Sequence, residues 1–212
     1  MVNRSSLLVR DRWHGRDARV TVRSLGLPIV VMVLGFLVGC ASSNGTRVQA
    51  TAPEGNAVTT YDDPANGIRL TYPGDWEEIN LMRPKGTLLL LAPPAPKHAG
   101  LMPPAFAVVA PQSDQPMSPN DLDDMQQRTI DKAKKEIGEF QLVQTSQATV
   151  GGEPARRIVY TGKKLGQSIE VMYVLTTHAG KPFAFSYMAG PDVFDGMQPQ
   201  IEKVVESVHW LK

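Results

Sequence analysis

Cys40 is the one cysteine in this chain of 212 residues, so neither an internal disulfide nor a multi-cysteine zinc site can form. It stands in LVGCASS, at the end of an apolar run and just before small polar residues. A lone cysteine there either closes a buried segment as a small hydrophobe or is modified. The other residues able to do chemistry are scattered. His98 falls in a Pro-rich stretch, His178 at a hairpin turn and His209 near the carboxyl end, none with H-E-x-x-H or comparable metal spacing. Gly166-Gln167-Ser168-Ile169-Glu170 approaches a nucleophile elbow, but Glu170 replaces the second glycine and the run reads as strand. Asp121, Asp123 and Asp124 have the charge of a calcium loop without its glycine or distal glutamate, and read better as charges at a helix start. The sequence therefore offers no catalytic residue, cofactor site or metal site, and the expectation is a non-enzymatic protein.

What precedes Cys40 gives it a role. Leu25 to Gly39 reads LGLPIVVMVLGFLVG without a charge, and upstream lie Arg4, Arg10, Arg12, Arg16, Arg19 and Arg23 against Asp11 and Asp17. A basic segment followed by an apolar one is the pattern of a secretion signal, and the run is short for a membrane span of about 20 residues. Leu37-Val38-Gly39-Cys40 resembles the lipobox of bacterial lipoprotein precursors. The resemblance implies a signal peptide over 1–39, cleavage before Cys40, and fatty acyl chains (palmitate or similar) on that residue. A single uncleaved anchor is the competing reading. The basic segment is long for such a signal, which points to an extended leader or to internal initiation at Val20 or Val22.

Without the leader, 16 basic residues face 19 acidic ones. The basic residues are dispersed, so neither a nucleic-acid footprint nor a polybasic membrane patch is expected, and lipid must hold the protein to the bilayer. Residues 41–57, rich in Ala, Ser, Thr and Gly, cannot bury enough surface to offset chain entropy and read as a tether. Residues 58–212 are the size of one domain.

Within that domain, Asn66-Gly67 signals a turn, and Ile68, Leu70 and Tyr72 alternate with polar residues as a strand stopped by Pro73-Gly74. Thr87–Ala92 and Ala105–Ala110 read as strands joined by a Pro-rich loop. Ser118 suits an N-cap, Pro119 the first helical position and Asp121 the third; Leu122, Met125, Thr129, Ala133 and Ile137 share a face, and Gly138 is expected to stop the helix. Four strands follow, Gln141–Val150, Ala155–Thr161, Ser168–Thr177 and Pro182–Met188, with turns at Gly151-Gly152, Gly162–Gly166 and His178–Lys181. Met197, Ile201, Val204, Val205 and Val208 mark a closing helix, with Pro199 in its first turn or at a kink. The order predicts an α+β fold, an antiparallel sheet with helices packed on it.

Ile68-x-Leu70-x-Tyr72-Pro73-x-x-Trp76 resembles the opening of PsbP-like domains, and the Val150–Ala155 turn, the long meander and the closing Ile201…Val208 segment fit the same pattern. The resemblance extends from about Thr59 to Trp210. It implies the α/β/α sandwich shared with DcrB-type lipoproteins, and implies no metal ligands or partner contacts, because members of that superfamily differ in function.

Trp76 is expected in the core against Tyr72 and a helix, with the wall of a ligand cleft as the alternative. Arg156-Arg157 and Lys163-Lys164 are expected to face solvent, and Leu101-Met102 to cover a sheet edge. The expected function is that of a lipid-anchored envelope protein, attached to the membrane through Cys40, that binds a partner protein or supports complex assembly. It would face the periplasm from the outer membrane, or sit on the outer face of a single membrane. A carrier of a small ligand is the alternative, and a hydrolase is a third reading.

Overall fold

The computed structural model describes residues 57–80, 83–94, 102–111 and 115–212. The leader, Cys40, nearly all of the tether, His98 and Leu101 lie outside the described residues. The first hairpin joins β1 (Val58–Asp63) to β2 (Ile68–Pro73). Its turn is held by Asn66, whose backbone N–H donates to Asp63 Oδ1 at 3.1 Å. The short β3 (Glu77–Glu78) leads to β4 (Thr87–Ala92) and β5 (Ala105–Val109), with the Thr87–Ala92 bounds as expected from sequence.

A short 3-10 turn, Pro119–Asp121, opens α1 (Leu122–Glu136). Asp121 Oδ2 accepts from the Ser118 backbone N–H at 2.7 Å and from Ser118 Oγ at 2.9 Å, as the S-P-N-D spacing predicts. These bonds, the backbone one foremost, hold the Asp121 carboxyl below its ordinary pKa. Ile130, absent from the expected face, is buried with Leu122 and Ala133. The helix does not end on a glycine in the left-handed region. Ile137 is already extended and Gly138 begins the next strand, while Glu139 takes a φ of 51°.

The meander comprises β6 (Gly138–Val150), β7 (Glu153–Lys164), β8 (Gln167–His178) and β9 (Lys181–Ala189). Its turns are the pairs Gly151-Gly152, Leu165-Gly166 and Ala179-Gly180, all at positive φ. Turns of that hand match the twist of the flanking strands. The expected Gly162–Gly166 turn thus shrinks to two residues, because Gly162 to Lys164 continue β7 in register with β8. The closing helix α2 spans Pro191–Glu206, with Pro191 in its first turn and Pro199 inside it. Val208 lies beyond that helix, and β10 (His209–Trp210), unforeseen from sequence, pairs with β2.

Two antiparallel sheets result, a three-stranded one in the order β1-β2-β10 and a seven-stranded one in the order β3-β4-β5-β9-β8-β7-β6. Strand alternation divides the larger sheet into two faces. Ala155, Val159, Met172, Val174, Phe183, Phe185 and Tyr187 pack with β2 and with Val193, Phe194, Ile201 and Val204 of α2. Ile158, Tyr160, Ile169, Val171 and Leu175 pack with Ile130, Ala133 and Ile137 beneath α1. The expected α+β sandwich, helices on an antiparallel sheet, is the fold observed.

Arg156 and Arg157 occupy an inner strand rather than an edge, and alternation sends them to opposite faces. Arg156 Nε lies 2.7 Å from Asp123 Oδ1 of α1, and Arg157 Nη2 lies 3.5 Å from Glu202 Oε1 of α2. One dipeptide therefore ties each helix to the sheet. That corrects the expectation that both arginines face solvent.

Candidate functional site

Three places could meet another molecule or do chemistry. The first is an open cleft of about 700 Å³ between the ends of β1 and β2 and the last turns of α2, lined by Thr71, Tyr72, Pro73, Asp75, Lys203 and Val204 among others. Local sequence builds it. Pro73-Gly74 ends β2, and Gly74 sits so close to the chain at Ala57 that an added Cβ would lie 2.9 Å from the Ala57 carbonyl oxygen. Ser207 Oγ accepts from the Thr71 backbone N–H at 2.9 Å and fixes the end of α2 against β2. Tyr72 and Val204 are buried, whereas Asp75 and Lys203 are exposed. The cleft thus has an apolar floor with one cation and one carboxylate at its rim.

Trp76 is not among the residues lining this cleft. It is 5% exposed and meets Phe106 of β5 edge-on, with ring centroids 6.3 Å apart. The core reading holds, with Phe106 as its ring partner. Met102 packs against the cluster beneath α1, so it covers a face of the sheet rather than an edge.

The second place is the His178 corner. The His178 ring stacks on Trp210 at 4.4 Å and 7°, and its Nδ1 lies 3.2 Å from Glu153 Oε1. Trp210 Nε1 donates to the Val150 carbonyl at 3.1 Å. Gly151 is required here: its φ is +55°, and an added Cβ would lie 2.6 Å from Trp210 Nε1. The scattered-surface expectation for the histidines needs correcting at His178, which is half-buried and seals the end of the sandwich. The geometry makes it a packing element, since the indole covers its face and neither His178 nor Glu153 lines the cleft. His209 lies in β10 and is exposed. Ser168 is an exposed residue of β8, at the end of the strand remote from His178. Asp123 and Asp124 occupy the first turn of α1, as expected, and among the described residues no group of three or more acidic, histidine or cysteine side chains could hold a metal ion.

The third place is the edge of the large sheet at β6. The two edges differ sharply. β3 has two residues, both glutamates, and Arg83 holds it by donating to Glu78 Oε1 at 2.5 Å, to the Ile79 carbonyl at 2.9 Å and to Asn80. β6 has 13 residues, and FQLVQTSQATV from Phe140 to Val150 contains neither charge nor proline. Leu142 and Val143 are 45% and 58% exposed. Edges are normally blunted by charge, proline, brevity or a bulge, and β6 has only irregularities at its start, between Gly138/Gln141 and Leu142/Gln144. The sequence contains the signal, an uncharged β-prone run, but only the strand order shows that this run is an edge.

Residues 105–207, which include α1, the meander and α2, match the family model DcrB. The fold is similar to that of cyanobacterial PsbP (CyanoP) from Synechocystis, at 16% identity and a TM-score of 0.52, covering 76% of this chain and 97% of that one. It is also similar to LpqN, a protein involved in cell envelope biogenesis in Mycobacterium tuberculosis, at 20% identity and a TM-score of 0.51, covering 80% and 91%. No curated protein matches the chain in sequence. The domain is DcrB/PsbP-like in fold.

Proposed function

We propose that this is a lipoprotein of the bacterial envelope, anchored through Cys40, that works by binding a protein partner rather than by catalysis. The observation that carries this reading is the edge of β6, whose row of outward backbone groups and exposed Leu142 and Val143 suit an added strand. The DcrB match over 105–207 and the fold likeness to LpqN support the envelope assignment. The leader and the lipobox-like LVGC support the anchor, since two or more acyl chains give stable attachment at about 0.8 kcal/mol per buried CH₂. A tether of about 17 residues would then place the domain on the order of 20–25 Å from the lipid.

The test is a photo-crosslinking residue at position 143 in the full chain, expressed in cells, with Leu165 as an exposed control on a hairpin tip. Protein crosslinks at 143 and not at 165 are expected, and equal background at both would overturn the reading. For the anchor, mass spectrometry should find the mature chain beginning at acylated Cys40, and Cys40→Ser should leave a larger unprocessed form. The carrier reading has its own support in the cleft, whose volume falls within the usual ligand range. Thermal stabilisation by a small amphiphile, abolished by Lys203→Ala, would favour it.

A further inference from the structure

We infer that the cleft beside α2 binds a zwitterionic amphiphile, a membrane lipid whose head joins a phosphate to a primary ammonium. This rests on the carrier reading of the cleft and adds the class of its ligand. The floor is apolar, with Tyr72 and Val204 buried, and Val58, 49% exposed, adds apolar surface open to solvent. Among the described lining residues only Lys203 of α2 and Asp75, just after the Pro73-Gly74 stop, are charged. Both are exposed, and among the described residues neither side chain has a hydrogen-bond or ion-pair partner, so they do not neutralise each other. The neighbouring acid on α2 cannot serve Lys203, because Glu202 is taken by Gln198 at 2.8 Å and by Arg157 at 3.5 Å.

Two unpaired charges of opposite sign around one apolar floor select a particular head. A purely anionic head gains from Lys203 and loses to Asp75, and a cationic head does the reverse, so each attraction is largely offset. A head with both signs sets its phosphate at Lys203 and its ammonium at Asp75, and both charge-assisted contacts form. Thr71 and Gln200 add a hydroxyl and an amide to the lining, able to serve the remaining phosphate oxygens. The floor takes the start of the acyl chain out of water, which a soluble zwitterion would leave uncovered. The place of the cleft suits a ligand drawn from a bilayer. Ala57 forms part of its wall, fixed by the Gly74 backbone N–H donating to the Ala57 carbonyl at 2.6 Å. The segment leading back to Cys40 joins the domain at that residue. An anchor through Cys40 therefore keeps the cleft within one tether length of the lipids it would bind.

The experiment uses the full chain in an uncharged detergent, with trace lipids that carry a photoreactive group in the acyl chain and differ in the head. The heads are phosphoethanolamine, anionic phosphoglycerol and cationic trimethylammonium, and labelled peptides are mapped by mass spectrometry. The phosphoethanolamine lipid should label peptides containing Val58, Pro73 or Val204 about fivefold more than either other lipid, the factor expected of one added exposed ion pair. Asp75→Lys should turn the preference to the phosphoglycerol lipid, and Lys203→Glu to the cationic one. Both variants should keep the wild-type melting temperature, since both side chains are exposed. Soluble glycerophosphoethanolamine at the same concentration should not compete; if it does, the ligand is the free head and the lipid assignment falls. Equal labelling of the cleft by all three lipids, or a preference that neither substitution changes, overturns the inference and leaves the carrier reading standing. No labelling within the cleft by any lipid removes both.

Discussion

One face of the seven-stranded sheet lies beneath α2 and the three-stranded sheet; the other lies beneath α1. The first carries Phe106, Phe183, Phe185 and Tyr187, fully or almost fully buried, with Phe194 of α2 stacked on Tyr187 at 4.9 Å. The second is lined by Ile158, Ile169, Val171 and Leu175, and much of what borders it is only partly buried, including Met102, Met125, Phe140 and Tyr173. Both faces obey the same strand alternation, so the difference comes from what covers them. A helix and a sheet together exclude water from large aromatic side chains; a single helix leaves margins that half-buried residues must close. The α2 face therefore holds most of the stability, and the α1 face is the easier one to open. Charge divides along the same line. The α1 face is tied to its helix by Arg156–Asp123, whereas the α2 face has Arg157–Glu202 and also Glu170 of β8, whose carboxyl is pushed above its ordinary pKa by burial and then by the charge of Asp195 of α2.

The largest expected effect is on the thicker face. Trp76→Ala should cost about 3–5 kcal/mol, because it removes a buried indole from against Phe106. Denaturant titration checks this, and a variant of wild-type stability would show that Trp76 is not held by the core. Ile158→Ala, on the thinner face, should cost about 2–3 kcal/mol, with hydrogen exchange accelerated in α1 more than in α2. Equal loss of protection in both helices would mean that the faces unfold as one unit. Arg156→Ala and Arg157→Ala should each cost no more than about 1 kcal/mol, since the acidic partners are well exposed. A double mutant cycle with Asp123 or Glu202 measures each tie separately.

The smallest effect concerns pH. Burial, and then the charge of Asp195, raise the pKa of Glu170 above its ordinary 4.5. A carboxyl whose pKa is raised by folding penalises the native state once it must ionise. The penalty is absent below the unfolded pKa and grows as pH rises through the folded one. Glu170→Gln should therefore raise the melting temperature slightly at pH 7 and leave it unchanged in acid below 4.5. A gain that persists in acid would assign the effect to packing instead.

Legibility followed the physics of each signal. The S-P-N-D start of α1 and the two-glycine turn at Gly151-Gly152 were readable because a cap and a turn depend on a few neighbouring residues. The end of α1 was misread: Gly138 invites a left-handed cap, but pairing with Lys163 draws it into β6 instead. β10 was invisible for a similar reason, since two residues have no periodicity and His209–Trp210 is a strand only because β2 lies beside it. For the candidate site the balance is less favourable. The lipobox-like run around Cys40 is contiguous in sequence and lies outside the described residues, whereas the cleft joins Thr71–Asp75 to Gln200–Val204, segments brought together only by folding.

The sequence by itself determined the alternation of β7 and β8, the helix start at Ser118, the Gly151-Gly152 turn and the absence of charge from Phe140 to Val150, because each depends on local sterics, hydrogen bonding or composition. Only the tertiary structure decided that Arg156 and Arg157 tie down different helices, that His178 shields Trp210, and that β6 is the long open edge. Those facts depend on which strands become neighbours. Strand order is fixed by burying both faces of the sheet at once, a condition on the whole chain that no local stretch contains.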